Sequence, residues 1–446
     1  MKTIITNSII ITMNSDMEVF PDGYVKIEGT KILETGPSCD LKETTEELRA
    51  AGWQIKDGKR GILMPGMVNT HCHLGMIPFR GLGDDCKDRL RVFLLPMEQK
   101  AMSRRMAALS SRYAICELLL SGVTSVMDMY YFEAAVAQVM DQTGIRGIAG
   151  QTLMDEGGCD ASDADQSLSM AKELIETYRM HPRISGCAAP HATNTCSPQI
   201  LKKAWELDTA NQVPFTLHAA EMDYEMTWLA QTRGCTPVGY LDQLGVLSDQ
   251  TAAAHCIHLT DRDIEILRQR GSGVCHCIGS NAKAAKGVAP VLKLLKEGVS
   301  VGLGTDGPAS GNTLDLFTQM RLCAGFQKND SHDRSAMPAK DIVSMATRQG
   351  ARVLGLEEKT GSIEPGKEAD LVLVETDSPN MFPVYDPYSA LVYSANASNV
   401  RDVYVAGTCL VQDKKLVYED FESIRRELSD CMGRSAFGEM QELHQL

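Results

Sequence analysis

The chain has 446 residues, of which 43% are hydrophobic and 23% charged, and its formal net charge at pH 7 is −14. This composition is typical of a folded globular protein and excludes a disordered chain. The negative charge argues against a nucleic-acid partner, because binding to phosphate backbones depends on clustered Lys and Arg. The sequence contains no run of about 18 apolar residues, so we expect no membrane span and no membrane partner.

The first residues, Met1–Thr6, lack the apolar segment and the cleavage site of a secretion signal. Without such a signal, the 14 cysteines are expected to be free thiols in a reducing cytoplasm. We therefore predict a cytoplasmic protein that acts on a small-molecule substrate, and we expect it to form a homo-oligomer.

The N-terminal region predicts short strands. Alternating apolar and polar residues occupy Thr3–Thr12 and Gly23–Glu28, with a turn signal at Pro21-Asp22-Gly23 between them. This pattern indicates an antiparallel, β-rich segment over residues 1–60.

Residues 61–354 repeat one unit, in which an apolar run leads to a polar residue and then to a helical segment. Eight strands are predicted, at Ile62–Thr70, Val123–Asp128, Ile145–Thr152, Ile184–Ala189, Val213–Leu217, Thr251–Ala254, Gly273–Cys275 and Val299–Thr305. Strands alternating with helices indicate an α/β protein with a parallel sheet, and eight units indicate a (β/α)8 barrel of the TIM type. In such barrels the chemistry lies at the carboxyl ends of the strands.

The C-terminal region returns to the β-rich style. Strands are predicted at Ala369–Val374, Val400–Val405 and Cys409–Val411, and a polar helical tail is predicted over 421–446. We expect residues 1–60 and 355–420 to form one small β-sandwich domain beside the barrel.

Histidines and one aspartate follow the predicted barrel strands. His71 and His73 follow the first strand, His218 and His255 follow two later strands, and Asp306 follows the last. Because side chains alternate along a strand, His71 and His73 point to the same side and can bind one ion. The set predicts a zinc site with a coordination position for water. From the residues alone, His255 is either a metal ligand or a donor to developing negative charge.

Other polar residues near these strand ends have predicted roles. Glu221, three residues after His218, can carry a proton from an activated water to a leaving group. Ser280 and Asn281 are predicted to lie in a substrate pocket or to act structurally. The P-C-x-x-C motif of the zinc deaminases that act on nucleic-acid bases does not occur in the sequence, which excludes that class.

These motifs resemble the amidohydrolase superfamily, in its mononuclear aminohydrolase branch. The matching segments are Pro65–His73, His218–Glu221, His255–His258, Gly304–Gly307 and Gly366–Leu371. The resemblance implies one Zn2+ ion per chain, with Fe2+ as the alternative, and the implied ligands are His71, His73, His218 and Asp306. It also implies catalytic roles for Glu221, His255 and Asp306, with His255 acting beside the ion.

Within that branch the chain is similar to the family of 5′-methylthioadenosine/S-adenosylhomocysteine deaminases. The similar segments include Arg80–Asp85, Leu95–Glu98, Asp128–Tyr131 and Gly307–Asn312. The similarity implies that Glu98 binds ribose hydroxyls and that His191 binds a purine ring nitrogen. The chain departs from the family pattern within Cys86–Leu95 and after His276, and both places are on the substrate side.

The predicted function is that of a metal-dependent aminohydrolase that deaminates an amino-substituted N-heterocycle. The preferred substrate is the adenine ring of 5′-methylthioadenosine, S-adenosylhomocysteine or an adenosine-type nucleoside, with release of ammonia. The alternatives are a triazine hydrolase, a guanine or pterin deaminase and, more remotely, a non-catalytic ligand-binding relic. The carboxylate of S-adenosylhomocysteine needs a cationic partner, for which the sequence offers Arg80, Arg89, Arg91 and Arg146 without ranking them.

Overall fold

The computed structural model describes residues 2–433. The strands are β1 (Lys2–Ile11), β2 (Val19–Glu28), β3 (Lys31–Pro37), β4 (Gln54–Asp57), β5 (Ile62–Pro65), β6 (Met67–Cys72), β7 (Val123–Tyr130), β8 (Arg146–Leu153), β9 (Ile184–Pro190), β10 (Phe215–Ala219), β11 (Thr251–His255), β12 (Gly273–His276), β13 (Val301–Leu303), β14 (Leu371–Val374), β15 (Val400–Val405), β16 (Thr408–Gln412) and β17 (Lys415–Leu416).

The α-helices are α1 (Thr45–Ala50), α2 (Leu95–Ala101), α3 (Arg104–Leu120), α4 (Glu133–Thr143), α5 (Ala164–Tyr178), α6 (Pro198–Asn211), α7 (Asp223–Arg233), α8 (Pro237–Leu244), α9 (Asp261–Arg270), α10 (Ile278–Lys283), α11 (Val291–Lys296), α12 (Leu316–Ser331), α13 (Ala339–Ala346), α14 (Arg348–Val353), α15 (Pro387–Ser389) and α16 (Phe421–Gly433). Helix α16 covers the start of the predicted helical tail, and residues 434–446 lie outside the described residues. Across residues 2–433, none of the helices combines the length and the apolar character needed to span a bilayer.

Strands β6 to β13 form the predicted eight-stranded parallel barrel, which is confirmed. They make two parallel runs, β6 to β9 and β10 to β13. A parallel bridge between Ala192 and His218 joins the runs at one seam. At the other seam the backbone N–H of Asp306 donates to the carbonyl of His71 at 3.0 Å. Both seams therefore lie at residues of the predicted site.

Local sequence signals delimit the βα units of the barrel. Helix α9 begins with a capping box, in which the Thr260 hydroxyl accepts from the Asp263 N–H and the Asp263 carboxylate accepts from the Thr260 N–H. Its buried residues include Ile264 and Leu267, which join the main apolar core. The helix ends at Gly271, and the chain turns directly into β12. This unit places His255 and His276 at the ends of neighbouring strands.

The first predicted barrel strand, Ile62–Thr70, is divided into two strands. β5 pairs with β1 and β14 in a separate sheet, whereas β6 pairs with β7 in the barrel. The division falls at Gly66, where a Cβ atom would lie 2.1 Å from the Thr124 hydroxyl oxygen. A continuous apolar pattern cannot reveal this change of sheet, because both halves are buried.

Both ends of the chain contribute to one nine-stranded sheet beside the barrel. Its order is β17-β16-β15-β14-β5-β1-β2-β3, with β4 also paired to β1. Ile5 of β1, Val25 of β2 and Leu371 of β14 belong to one buried cluster, so the two chain ends share a core. We predicted one β-rich unit from both chain ends because apolar and polar residues alternate in both terminal regions, as they do along strands with one buried face.

A buried ion pair joins the barrel to this sheet. Arg146, at the start of β8, donates from Nε to Asp370 Oδ2 at 2.7 Å and from Nη2 to Asp370 Oδ1 at 3.1 Å. The Asp370 carboxylate also accepts the backbone N–H of Ala406 at 2.7 Å. Such a bidentate arrangement fixes orientation as well as charge. Arg146 is therefore committed to the fold, far from the strand ends that carry the site.

Cysteines are spread through the barrel and the sheet. All 14 are free thiols, as the sequence predicts, and Cys187, Cys275 and Cys323 are examples that are buried. Burial in apolar surroundings raises the pKa of the Cys323 thiol to about 12. A buried thiol of this kind is protonated at neutral pH and chemically inert.

Candidate active site

The polar residues predicted to act together lie at one end of the barrel. His71 lies near the end of β6, and His73 follows that strand directly. His218 is in β10, and His255 is the last residue of β11. Asp306 follows β13 after two intervening residues. Because the barrel strands are all parallel, residues far apart in sequence meet at this one face.

Three imidazoles converge closely enough to share one cation. The candidate ligand atoms of His71, His73 and His218 all lie within 4.8 Å of one another, and all three residues are buried. The ring centroids of His71 and His73 are 4.8 Å apart with nearly perpendicular planes, and the same separation holds for His71 and His218. Imidazole nitrogens grouped in this way suit a transition-metal ion such as zinc.

Hydrogen bonds to backbone carbonyls orient two of these rings. His73 Nδ1 lies 2.5 Å from the carbonyl oxygen of Met129, and His218 Nδ1 lies 2.7 Å from that of His191. A carbonyl only accepts, so each Nδ1 carries the proton and donates it. Nε2 of each ring is then left with a lone pair facing the centre of the cluster, which is the arrangement that metal-binding histidines adopt.

His71 provides the clearest sign that the cluster holds an ion. Both of its ring nitrogens are buried and neither has a hydrogen-bond partner. A buried polar atom without a partner is costly, and coordination to a cation supplies one. Burial, followed by the nearby imidazoles of His73 and His218, lowers the pKa of His71 well below its usual value. Its ring is therefore neutral at pH 7, as a metal ligand must be.

Asp306 adds the carboxylate to the three imidazoles. Its Oδ1 lies 3.2 Å from His73 Nε2 and its Oδ2 lies 4.0 Å from His255 Nε2. Burial opposes protonation of His73, but the hydrogen bond and charge of Asp306 raise the pKa of His73 to about 9. The negative charge of Asp306 thus stabilises positive charge at Nε2 of His73, where a divalent cation would bind in place of a proton.

Neighbouring residues hold Asp306 in place. The backbone at Asp306 is left-handed, with φ of +58°. Next to it, Thr305 N–H donates to Asn69 Oδ1 at 3.0 Å and Asn69 Nδ2 donates to the Thr305 hydroxyl at 2.8 Å. A Cβ atom on Gly307 would lie 2.6 Å from Met76 Sδ and 3.1 Å from His73 Cβ, so this position needs glycine. Sequence reasoning did not identify Asn69, because its partner lies 236 residues away, across the seam between β6 and β13.

Glu221 and His255 lie side by side next to this cluster. His255 Nε2 is 3.5 Å from Glu221 Oε1, and it has no hydrogen-bond partner. On its other side, His255 Nδ1 lies 2.8 Å from Asn281 Oδ1, which fixes the ring. The sequence predicted a pocket or structural role for Asn281, and the contact that the structure gives it is with His255.

Lys286 is a charged residue of this region that sequence reasoning missed. Its Nζ lies 2.5 Å from Glu221 Oε1, and both side chains are largely buried. Burial raises the pKa of Glu221, but His255 and Lys286 outweigh it and bring the pKa well below the usual range. A single lysine in a polar loop 65 residues after Glu221 carries no periodic signal, so only the fold reveals the pair.

The site opens into a cavity of about 350 Å³. At its inner end the cavity is lined by His73, His218, Glu221, His255 and Asp306. At the outer end, which we call the mouth, it is lined by residues from Asp84–Leu90 and Lys283–Lys286. A second cavity of about 500 Å³ lies at the starts of the barrel strands and is lined by none of the predicted metal ligands or catalytic residues.

Glu98 lies on the wall of this cavity, in α2. Its carboxylate is buried and accepts a hydrogen bond from the Tyr130 hydroxyl. Burial raises the pKa of Glu98 to about 7, although the Tyr130 hydrogen bond and the charge of His73 act in the other direction. The carboxylate therefore changes protonation state near neutral pH while facing the space that a ligand would fill.

His191 and Ser280 also line the cavity. His191 Nδ1 lies 3.0 Å from the Thr195 hydroxyl, and burial lowers the pKa of His191 to about 4. His191 is thus a neutral hydrogen-bonding group at pH 7. His276, by contrast, is fully buried with both nitrogens unpartnered and does not contribute to the lining of this cavity.

Known sequences resemble the chain over nearly its whole length. The profile described as the amidohydrolase family matches residues 62–410. A 5-methylthioadenosine/S-adenosylhomocysteine deaminase of Thermodesulfovibrio yellowstonii is 38% identical over 417 residues, which is 93% of this chain and 94% of that protein. A 5′-deoxyadenosine deaminase of Methanothermobacter thermautotrophicus is 37% identical over 413 residues, covering 92% and 94% of the two chains.

A solved structure is similar as well. An adenosine deaminase from Xanthomonas campestris, determined with bound zinc, superimposes with a TM-score of 0.92 at 30% identity, over 97% of this chain and 98% of that one. The match to the amidohydrolase profile, residues 62–410, includes every strand of the barrel and all the histidines of the cluster. With these relatives and a site that gathers three imidazoles and a carboxylate, the chain belongs to the amidohydrolase family.

Proposed function

We propose that the protein is a metal-dependent aminohydrolase that replaces the amino group of an adenine nucleoside with oxygen and releases ammonia. The observation that carries the proposal is one cavity that joins the imidazole cluster to Glu221 and Glu98. Water and the C–NH2 group of the ring are the reactants, and a ring C=O group and NH3 are the products. The named activities of the relatives support an adenine ring as the part of the substrate that reacts.

We propose that His71, His73, His218 and Asp306 hold one divalent cation. The unpartnered nitrogens of His71 and the 3.2 Å approach of His73 Nε2 to Asp306 Oδ1 support this set. Zinc is the preferred ion, because imidazole and carboxylate ligands suit it and the Xanthomonas campestris structure contains it, with Fe2+ as the alternative. When bound, such an ion acts as a Lewis acid that lowers the pKa of water to about 7.

Three side chains move or orient the protons. Glu221, a carboxylate in the resting protein, takes one proton from the attacking water and delivers it to the ring nitrogen next to the amino-bearing carbon, which makes that carbon more electrophilic. Asp306 accepts the second proton of the water, and this proton passes to the amino group, which departs as ammonia. His255 lies between Glu221 and Asp306, at 3.5 and 4.0 Å, where its Nε2 can orient the water.

Glu98 and His191 are proposed to recognise the nucleoside. As a carboxylate, Glu98 accepts hydrogen bonds from ribose hydroxyls, which are strong because the acceptor is charged. His191 bonds a ring nitrogen through Nε2, while its Nδ1 lies 3.0 Å from the Thr195 hydroxyl, which holds the ring in place. Ser280, on the cavity wall, is proposed to contact the substrate, and Asn281 to act with it by holding His255.

The competing functions are a triazine hydrolase and a guanine or pterin deaminase. A buried carboxylate on the wall favours a ligand that carries hydroxyl donors, as ribose does and triazines do not. A non-catalytic binding protein is the remaining alternative, and the complete set of Glu221, His255 and Asp306 argues against it.

Ammonia release from a panel of adenine nucleosides, guanine, pterins and triazines tests the proposal. We expect kcat/KM to be highest for adenine nucleosides, with the absorbance change of the purine ring accompanying ammonia release. Faster turnover of triazines or pterins would contradict the proposed substrate. Ligand binding without turnover of any compound would favour the binding-protein alternative.

A further inference from the structure

The mouth of the cavity determines which substituents at the 5′ carbon of the ribose can bind. If the proposed function holds, the adenine ring reaches the inner end and the ribose lies at Glu98, which leaves the mouth for the 5′ group. We propose that the mouth accepts neutral or positively charged 5′ groups and discriminates against a negatively charged one. The reason is that its cations are already committed to partners within the protein.

The cavity lining is acidic. Apart from histidines, it contains the six carboxylates of Asp84, Asp85, Asp88, Glu98, Glu221 and Asp306, against the four cations of Lys87, Arg89, Lys283 and Lys286. An anionic substituent must lose water on entering such a cavity, and this costs free energy unless a cation pairs with it. The question is therefore whether any of the four cations is available.

The guanidinium of Arg89 donates hydrogen bonds to three backbone carbonyls. Nε donates to the carbonyl of Leu82 at 2.7 Å, Nη1 to that of Ala309 at 2.7 Å and Nη2 to that of Phe79 at 3.2 Å. Its guanidinium is also 3.6 Å from Asp84. These bonds tie together two loops at the mouth, so Arg89 cannot turn towards a ligand without breaking them.

Lys283 is equally occupied. Its ammonium donates to Asp84 Oδ1 at 2.7 Å, to Asn312 Oδ1 at 2.9 Å and to the carbonyl of Ala309 at 3.4 Å. An ammonium has three protons, and these three acceptors use all of them. Lys286 is paired with Glu221, whose charge the proposed proton transfers require.

Lys87 is the remaining cation, and it is exposed to solvent. In the described part of the chain it makes no ion pair, but neither does Asp85, which is also exposed and lines the same mouth. A hydrated surface lysine contributes little to the binding of an anion, because water competes with the pairing and salt screens it. The nearby Asp85 offsets this contribution for an anion and favours a cation.

The arginines outside the lining are not free either. Arg80 pairs with Glu117 at 2.6 Å, Arg146 pairs with Asp370, and Arg91 pairs with Asp88 at 2.7 Å. Arg91 also stacks on the ring of Tyr224, with its guanidinium carbon 4.6 Å from the ring centroid. Each of the four arginines that the sequence offered for a substrate carboxylate is thus committed to a partner within the chain.

Three nearly isosteric substrates separate charge from size. They are the neutral 5′-deoxyadenosine, the cationic 5′-amino-5′-deoxyadenosine and the anionic adenosine-5′-carboxylic acid. For the metal-loaded enzyme we expect kcat/KM of the neutral and cationic compounds to agree within about threefold. We expect the carboxylate to be about 10-fold to 100-fold worse, since a buried charge is left without a partner.

A charge reversal at the mouth sharpens the test. Asp85→Lys should reduce the penalty on the carboxylate several-fold, whereas Asp16→Lys makes the same change of net charge in the exposed turn between β1 and β2 and should not reduce it. Turnover of the carboxylate within threefold of 5′-deoxyadenosine, or an unchanged penalty in Asp85→Lys, would overturn the inference. Absence of turnover for all the nucleosides would instead contradict the proposed function, and the inference would fall with it.

Discussion

At the inner end of the cavity, His73, His218 and Asp306 stand at the ends of barrel strands, whereas at the mouth Asp84 and Arg89 belong to the segment between β6 and α2, and Lys283 is the last residue of α10. The inner residues are held by backbone hydrogen bonds that belong to the barrel itself, such as Asp306 N–H to the His71 carbonyl at 3.0 Å. The mouth residues are held by side-chain bonds between segments that follow different barrel strands, such as Lys283 to Asp84 at 2.7 Å. The barrel therefore fixes the chemistry, and the loops determine which molecules reach it.

Lys286 connects the two regions. It belongs to the loop of the mouth, yet its ammonium lies against Glu221 at the inner end. Substitutions that affect only one region should separate turnover from substrate choice, and Lys286 should affect both. The following predictions run from the largest expected effect to the smallest.

Removal of the metal should abolish turnover. Dialysis against a chelator should reduce ammonia release to background, and Zn2+ should restore it, because the proposed activation of water depends on the bound ion. His71→Asn should lose both the metal and the activity. His332→Asn is the matched control, because His332 is exposed in a left-handed conformation that Asn tolerates, and it should keep both. Full activity after verified metal loss would contradict the account of the inner end.

Glu221→Gln should lower kcat by about 10²-fold to 10⁴-fold, the usual contribution of a positioned proton donor or acceptor. Metal content should stay at the wild-type level, because Glu221 is not among the proposed ligands. Parallel measurement of kcat and of bound metal checks both statements. A variant that retains most of its activity would show that another group carries the proton.

Glu98→Gln should lower kcat/KM for nucleosides by about 10-fold to 100-fold, as expected for loss of hydrogen bonds to a charged acceptor. In the wild type, the pKa of Glu98 is about 7, so the carboxylate is lost as pH falls through 7 and kcat/KM should fall with it. The variant should lack this step, whereas Glu206→Gln, on the exposed side of α6, should keep it. If kcat/KM of Glu98→Gln also fell as pH drops through 7, the group that ionises there would be one other than Glu98.

Lys286→Met should lower kcat/KM by about threefold to tenfold. Lys286 helps to keep the pKa of Glu221 low, so its removal should raise that pKa. The pH profiles are compared in the Glu98→Gln background, where the step of Glu98 is absent, and there the acidic limb should move to higher pH. Lys286→Arg retains the positive charge and should leave the limb near its wild-type position. An unchanged pH profile in Lys286→Met would mean that the pair does not persist during turnover.

The same contrast explains what the sequence could predict. The eight barrel strands and the residues at their ends follow from apolar runs that each stop at a polar residue, and the resemblance to a known family rests on these segments. The division of Ile62–Thr70 between two sheets escaped prediction, because both halves are apolar and buried. At this point a glycine that permits close approach to Thr124 matters more than hydrophobic pattern.

The mouth was the least predictable region. Arg80, Arg89, Arg91 and Arg146 could not be ranked from sequence, since their partners are set by the tertiary fold. The pairs Asn69–Thr305 and Lys286–Glu221 also connect residues from different βα units. Periodicity describes which face of an element is buried and carries no information about such individual contacts.

The account depends most on one cation bound by His71, His73, His218 and Asp306. Crystals of the active enzyme, measured on both sides of the zinc absorption edge, would locate the ion by anomalous scattering. We predict one strong peak per chain among the ring nitrogens of these histidines and the Asp306 carboxylate. A peak elsewhere, or active crystals without a transition-metal peak at this position, would contradict the account.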